Sequence, residues 1–193
     1  MERNNVMYRT MQSVLTTRDG ETNEAPVIVG YFAVFDSNYD MGYGMSESVA
    51  PGAFSETLAG DVRALIDHDT RLVLGRTTAH TLELREDSHG LWGKIYINQK
   101  DSEAMNLYER VKRGDVSQCS FGFEILSEET TFPADGEIHW RITKVKLYEV
   151  SCCTYPAYEE TGISARKKDR EQIEKRKSEA WKSTLLKQLK GEK

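Results

Sequence analysis

Apolar and polar residues alternate in short runs along most of the chain, and turn residues such as Asp19-Gly20 separate these runs. Alternation with a period of two predicts strands with one buried face, and repeated short runs of this kind favour a β-rich domain. The runs predicted to form strands cover residues 11–17, 27–35, 62–68, 80–85, 91–97, 116–126 and 138–151.

Two segments have helical spacing instead. Residues 51–58 are predicted to form a short helix with Pro51 near its first turn, where a missing backbone N–H is tolerated. Residues 102–113 are predicted to form a longer helix that ends at Gly114, a residue suited to the left-handed conformation of a helix C-cap. One side of this second helix is apolar and consists of Ala104, Leu107, Tyr108 and Val111.

The composition changes after Pro156-Ala157. From residue 165 onward the sequence predicts a single charged helix with a thin apolar stripe. We therefore divide the chain into a β-rich domain over residues 1–164 and a charged helical tail over residues 165–193. The stripe consists of Ile173, Ala180, Trp181, Leu185 and Leu189.

Charge is distributed unevenly between these two parts. Residues 165–193 contain 11 Lys and Arg against 5 Asp and Glu, a net charge of +6. Residues 1–164 hold the other 15 basic and 26 acidic residues, a net charge of −11. Because phosphate binding needs a basic face, this acidic body argues against a nucleic-acid-binding core. The tail is interpreted as a solvated helix, with binding to an acidic partner as the alternative.

The cysteines and the apolar runs indicate the cellular compartment in which the protein works. Cys119, Cys152 and Cys153 form no Cys-x-x-Cys pair, and three thiols in a chain of this size indicate a reducing compartment. No apolar run approaches the roughly 20 residues that a membrane helix needs, and the first residues lack the apolar core of a signal peptide. The four histidines fit no compact ligand spacing, so no metal site is predicted.

Three residues in separate strand-like runs, Ser120, His68 and Glu149, are suited to hydrolytic chemistry. A nucleophile, a base and an acid that orients the base form the arrangement of a serine hydrolase. Strand parity puts Ser120 opposite the apolar face and beside Gly122, which leaves room for a substrate backbone. The apolar face of that run consists of Cys119, Phe121, Phe123 and Ile125.

Parity also groups His68 with Ile66, and Glu149 with Val145 and Leu147. A carboxylate in line with apolar residues is costly to bury unless a hydrogen-bond donor pairs with it. An imidazole N–H is a suitable donor, and its bond to Glu149 would fix the tautomer whose other nitrogen faces the serine.

The pattern leaves alternatives open. A serine on a strand is most often polar surface, and a histidine near a turn is most often solvated. Cys119 is a rival nucleophile, although its parity with Phe121 favours a small core residue. Asp69 is a rival orienting acid, although neighbours on a strand point to opposite faces.

Nine short sequence pieces, given below, occur in an order and at spacings typical of one protein family. On these pieces the chain resembles the prohead maturation proteases of tailed bacteriophages, which are related in fold to the herpesvirus assemblin proteases. The resemblance covers residues 8–165. The pieces are GYFAVF at 30–35, ESVAPGAF at 47–54, DHD at 67–69, VLGR at 73–76, LELRED at 82–87, KRGDV at 112–116, CSFGF at 119–123, LYEVS at 147–151 and YPAY at 155–158.

The resemblance implies a role for each candidate residue. Ser120 matches the nucleophile of the family, His68 its base, and Glu149 the acidic position of the third member. One departure is visible, because the residue before the serine is commonly Met and is Cys119 here, another soft side chain. Backbone N–H groups near the active strand are implied as oxyanion donors, with Arg76 as a further candidate. No metal or organic cofactor is implied.

The resemblance also implies a fold and a role. The fold is mainly β with α: a small antiparallel β-barrel surrounded by a few helices, followed here by the charged C-terminal helix. The role is that of a serine endopeptidase that cleaves the scaffold, or the scaffolding segment of the major capsid protein, and also itself. It would act inside the prohead in the host cytoplasm, with no nucleic acid or membrane as partner, and the dimeric herpesvirus relatives leave a homo-oligomer open. The alternative is a non-catalytic capsid-assembly or scaffold protein.

Overall fold

The computed structural model of the protein describes residues 6–11, 15–18, 26–134, 136–155, 166, 169–179 and 181–182. A 3-10 helix covers Thr77–Ala79, and helix α1 covers Ser102–Arg113. In chain order the strands are β1 (Met7–Met11), β2 (Thr16–Arg18), β3 (Val27–Val34), β4 (Tyr39–Gly42), β5 (Met45–Val49), β6 (Arg63–Ile66), β7 (Asp69–Arg76), β8 (Leu82–Glu86), β9 (Gly90–Tyr96), β10 (Gln118–Thr131) and β11 (Ile138–Cys153).

The strands form two sheets. The larger sheet has seven strands in the order β1-β10-β11-β5-β4, with β6 pairing with both β11 and β7. The smaller sheet has the order β2-β3-β9-β8. Strand β11 is long enough to take β5 in parallel along its first part and β6 in parallel along its last part. The predicted mainly-β class with helix is therefore confirmed, but the described residues form open sheets, and the closed barrel stays a prediction.

One apolar cluster joins both sheets and α1. Phe121 of β10 packs edge-on against Phe54 and stacks on Phe123, with ring centroids 5.5 and 4.7 Å apart. All three rings are fully buried, as is Phe32 of β3. Burying a side chain of this size contributes about 1.5–3 kcal/mol, so the apolar face of β10 anchors the strand. The apolar set predicted around Ser120 is confirmed, with Ile125 only partly buried.

Helix α1 has the predicted bounds and cap. Asp101 accepts hydrogen bonds from the backbone N–H groups of Glu103 and Ala104, which satisfies two donors that the first turn leaves unpaired. Gly114 ends the helix with a φ of 85°. The predicted apolar side is buried and consists of Ala104, Leu107, Tyr108 and Val111.

Three predicted elements differ from the structure. Residues 51–58 form consecutive turns, with Ser55 N–H donating to the Gly52 carbonyl, because Gly52 has a φ of 84° that interrupts a helix. The predicted strand over residues 11–17 is wrong, since β1 and β2 lie in different sheets. The strand predicted over residues 62–68 ends at Ile66 instead, before His68.

The chain divides into two compact units, Met1–Glu159 and Glu160–Lys193. In the second unit the described residues 166, 169–179 and 181–182 are helical. Ile173 of the predicted stripe is half-buried and Trp181 is exposed, whereas Ala180, Leu185 and Leu189 fall outside the described side chains. Across the ranges that the structure describes, no helix has the length and apolarity needed to cross a membrane.

Candidate active site

A β-bulge between β10 and β11 decides which side chains face the site. Phe121 lies opposite Val150, and Phe123 lies opposite Leu147, so that Gly122 alone faces two residues of β11. The extra residue reverses the alternation of β11 at this point. Glu149 therefore does not share the apolar face of Leu147, and the parity assigned to it from the sequence was wrong. It lies opposite Gly122, on the face that also carries Ser120.

His68 lies in the tight turn between β6 and β7, not on a strand. Its φ is 61° and that of Asp67 is 47°, as the left-handed conformation of a two-residue hairpin turn requires. Non-glycine residues adopt this conformation at a cost, so other contacts must hold the turn. The Asp67 carboxylate accepts bonds from Thr154 N at 2.8 Å and from Thr154 Oγ1 at 3.1 Å. The His68 N–H donates to Ser151 Oγ at 3.2 Å.

The imidazole of His68 is paired with Glu149, with 2.7 Å between Nδ1 and Oε1. Because an ionised carboxylate only accepts hydrogen bonds, Nδ1 carries the hydrogen, and Nε2 of the neutral ring is left as an acceptor. The Tyr8 ring packs on His68 with 4.4 Å between ring centroids. Cys153 Sγ lies 3.8 Å from Nε2. This arrangement prepares Nε2 to receive a proton.

Ser120 lies on the same face of the sheet as this pair, but its hydroxyl is bonded to β1. Its Cα partners are Ser151 of β11 on one side and Thr10 of β1 on the other. The side chain is fully buried, and Oγ donates to the Arg9 carbonyl at 2.9 Å. The structure thus joins His68 to Glu149 directly and holds Ser120 on the same face, with its hydrogen bond to β1.

Strand β1 pairs with β10 at the edge of the larger sheet, and a buried ion pair ties it to β5. Arg9 Nε lies 2.5 Å from Glu47 Oε1, and Nη2 lies 3.0 Å from Oε2. The guanidinium also lies over the Phe123 ring, 5.8 Å from its centroid. Both charged side chains are almost fully buried, so this two-point pairing is needed to offset their desolvation.

Gly122 serves the site differently from the prediction. A Cβ at this position would overlap Glu149 Oε1 and would lie 3.0 Å from Tyr8 Cε1. The missing side chain therefore makes room for the carboxylate and for Tyr8, rather than for a substrate backbone.

The rival candidates have other partners. Cys119 Sγ donates to the Tyr31 carbonyl at 3.2 Å and is fully buried in the core. Asp69 is held by Arg71, whose side-chain and backbone N–H bonds lower the pKa of that carboxyl to about 2. Arg76 forms an ion pair with Asp61 at 2.6 Å.

Sequence reasoning missed Ser151, Tyr8 and Cys153. The signal for Ser151 and Cys153 was their spacing of two and four residues from Glu149 along one strand, whereas nothing in the sequence linked Tyr8 to the site. Burial raises the pKa of the Cys153 thiol, which keeps it protonated beside His68. Within the described part of the chain, no three His, Cys, Asp or Glu residues are grouped as a metal site would need.

Comparison with known sequences identifies the family. A model of the caudovirus prohead serine proteases, peptidase family S78, matches residues 13–176. The chain belongs to the caudovirus prohead serine protease family. The family predicted from the sequence pieces is thereby confirmed. The matched region contains His68, Ser120 and Glu149, whereas β1 lies before it.

The chain is similar to one prohead protease in sequence and to one capsid assembly protease of known structure. The prohead protease of Enterobacteria phage HK97 is 30% identical over 155 residues, which is 78% of this chain. The chain spans 63% of the length of that relative. Among solved structures, the chain is similar to the bacteriophage T4 capsid assembly protease gp21, with a TM-score of 0.44 and 10% identity over 77% of this chain and 99% of that one.

Proposed function

We propose that the chain is a serine endopeptidase in which Ser120 is the nucleophile, His68 the general base and Glu149 the acid that orients His68. The observation that carries this proposal is the 2.7 Å hydrogen bond between His68 Nδ1 and Glu149 Oε1, on the face of the sheet where Ser120 lies. Membership of a serine protease family supports the same reaction class.

The first step begins when the Ser120 hydroxyl turns from the Arg9 carbonyl towards His68 Nε2. Oγ attacks the peptide carbonyl carbon while Nε2 takes its proton, and Glu149 stabilises the imidazolium that forms. Nε2 then gives the proton to the leaving amine, which leaves an acyl group on Oγ. A water molecule repeats the sequence and releases the acid, and backbone N–H groups near β10 stabilise the oxyanion in both steps.

The substrate in this proposal is the scaffold, or the scaffolding segment of the major capsid protein, inside the prohead in the host cytoplasm. The chain also cleaves itself. The name of the HK97 relative, a prohead protease, supports this role. An assemblin-like closed barrel and a homo-oligomer belong to the same proposal.

A non-catalytic capsid-assembly protein is the second candidate. One observation favours it: Ser120 is fully buried, and its hydroxyl donates to the Arg9 carbonyl of the neighbouring strand β1. In that case the chain would bind coat protein without cleaving it.

The Ser120→Ala variant separates the two candidates. The chain is expressed with the capsid precursor and scaffold of the same phage, and all products are identified by mass spectrometry. We expect wild type to cleave the precursor and itself, and Ser120→Ala to leave both intact while it still folds. Cys119→Ala is the matched control and should remain active. Processing by Ser120→Ala at the wild-type rate would refute the nucleophile, and intact products with wild type would favour the assembly protein.

A further inference from the structure

Ser151 makes two hydrogen bonds at the centre of the candidate site. It is fully buried and lies two residues beyond Glu149 on β11, so both side chains emerge on one face. Its Cα partners are Ser120 on β10 and Leu65 on β6. Ser151 therefore lies between the strand of the nucleophile and the strand that leads to the base.

The first hydrogen bond fixes the carboxylate. Ser151 Oγ donates to Glu149 Oε2 at 2.5 Å, while Oε1 accepts from His68 Nδ1 at 2.7 Å. Each carboxylate oxygen thus has one donor, and rotation of the carboxylate would break both bonds. A bond to an ionised acceptor is stronger than one between neutral groups, so the hydroxyl restrains the rotation effectively.

The second hydrogen bond fixes the backbone of the base. Ser151 Oγ accepts from the His68 N–H at 3.2 Å. The three hydrogen bonds form a closed ring. It runs from the backbone N–H of His68 through the Ser151 hydroxyl and the Glu149 carboxylate back to Nδ1 of the His68 imidazole. One hydroxyl therefore sets the position of the turn and the direction of the carboxylate that orients the imidazole.

We infer that Ser151 is a positioning residue of the protease, acting through His68 and Glu149. This inference rests on the proposed function. The Ser151 hydroxyl bonds to His68 and Glu149, and its contribution is to hold the imidazole in the orientation that the proposed proton transfer from Ser120 needs. Residues that orient histidine and carboxylate ligands in metal sites change affinity or activity by about 10- to 100-fold when removed, and we take that range as the guide for Ser151.

The kinetic test compares Ser151→Ala with Ser48→Ala. Ser48 is a buried serine of the same sheet whose Oγ also bonds a histidine, lying 2.9 Å from His139 Nε2. The substrate is a peptide that spans the cleavage site mapped by mass spectrometry. We expect kcat of Ser151→Ala to fall by about 10- to 100-fold with KM little changed, and kcat of Ser48→Ala to match wild type. A folded Ser151→Ala protein with wild-type kcat, or an equal loss in Ser48→Ala, would overturn the inference.

A spectroscopic test does not depend on catalysis. In the Ser120→Ala background, proton NMR should show the hydrogen-bonded Nδ1–H of His68 as a downfield signal, assigned by its absence in His68→Gln. Adding Ser151→Ala should weaken this signal or speed its exchange with water. An unchanged signal would overturn the positioning role, whatever the activity of Ser120→Ala shows about the nucleophile. If Ser151→Ala does not fold, Ser151→Cys replaces it, because a thiol is of similar size and is a weaker hydrogen-bond donor. A wild-type kcat of Ser151→Cys would equally overturn the inference.

Discussion

At the scale of single residues, the site depends on the hydrogen bonds of the buried Glu149 carboxylate. The two oxygens of Glu149 accept from two different donors. Glycine is needed at position 122, because a Cβ there would overlap the carboxylate. An unpaired buried carboxylate oxygen is costly, so the pairing selects one orientation of the acid. That orientation also selects the imidazole tautomer of His68.

The first prediction concerns which acid orients His68. In Glu149→Gln one acceptor oxygen is replaced by an N–H donor, so either Ser151 or His68 can no longer donate to the side chain. If the amide nitrogen faces His68, it forces the tautomer with hydrogen on Nε2. We expect kcat for the mapped peptide to fall by up to about 10⁴-fold, the loss known for such a change in a Ser-His-Asp triad.

The matched control for this prediction is Asp69→Asn. Asp69 is bonded to Arg71 at the surface, so its charge should matter little to the reaction, and kcat should stay at the wild-type value. If kcat of Asp69→Asn falls steeply while kcat of Glu149→Gln stays near the wild-type value, Asp69 and not Glu149 orients His68.

At the scale of elements, β1 is the edge strand that pairs with the strand of the candidate nucleophile and accepts its hydrogen bond. It occupies the edge of β10 from Met7 to Met11 and is tied to β5 by the ion pair between Arg9 and Glu47. Strand β1 also supplies the Tyr8 ring that packs on His68. The hydrogen bond of Ser120, the ring contact of His68 and the edge of the sheet thus depend on the same short strand.

The second prediction tests how the ion pair holds β1. Removing one partner of a buried pair leaves the other charge uncompensated, and each of Arg9→Met and Glu47→Leu should lower the free energy of unfolding by about 3–5 kcal/mol. The double variant leaves no buried charge, so its loss should be far smaller than the sum. Urea unfolding of the four proteins measures the coupling. Losses that simply add would mean that the two side chains do not stabilise each other.

At the scale of the whole molecule, the chain divides into two compact units, Met1–Glu159 and Glu160–Lys193. The apolar cluster that joins the sheets lies within the first unit, and Phe121, Phe123 and Val150 from the strands of the site belong to it. His68, Ser120 and Glu149 are all in that unit as well. The division supports assigning the chemistry to the body.

The third prediction concerns the tail. A chain that ends at Ser164 should fold and cleave a supplied peptide at the wild-type rate, because the core and the candidate site lie before that point. An isolated charged helix is marginal, so the tail should gain order by docking on a partner. We therefore expect the shortened chain to be incorporated poorly into proheads, measured by quantitative mass spectrometry of purified particles. An unfolded or inactive shortened chain would show that the tail belongs to the catalytic domain.

The sequence alone was sufficient wherever the determining contacts are local. Helix α1 was predicted with its bounds, its apolar side and its Gly114 cap, because helical spacing and capping depend on residues within a few positions of each other. Strands β8, β9, β10 and β11 followed from alternation and turn residues in the same way. The ordered sequence pieces also identified the family.

Only the tertiary structure decided how these elements meet at the site. The bulge that turns Glu149 towards His68 arises from the pairing of β10 with β11, and one extra residue reverses every parity argument beyond it. The turn that carries His68 is held by Ser151 and Thr154, 83 and 87 positions away from their partners in the turn, and β1 bonds to Ser120 of β10 across 111 positions. Strand periodicity contains no information about cross-strand register, and register determines which side chains share a face.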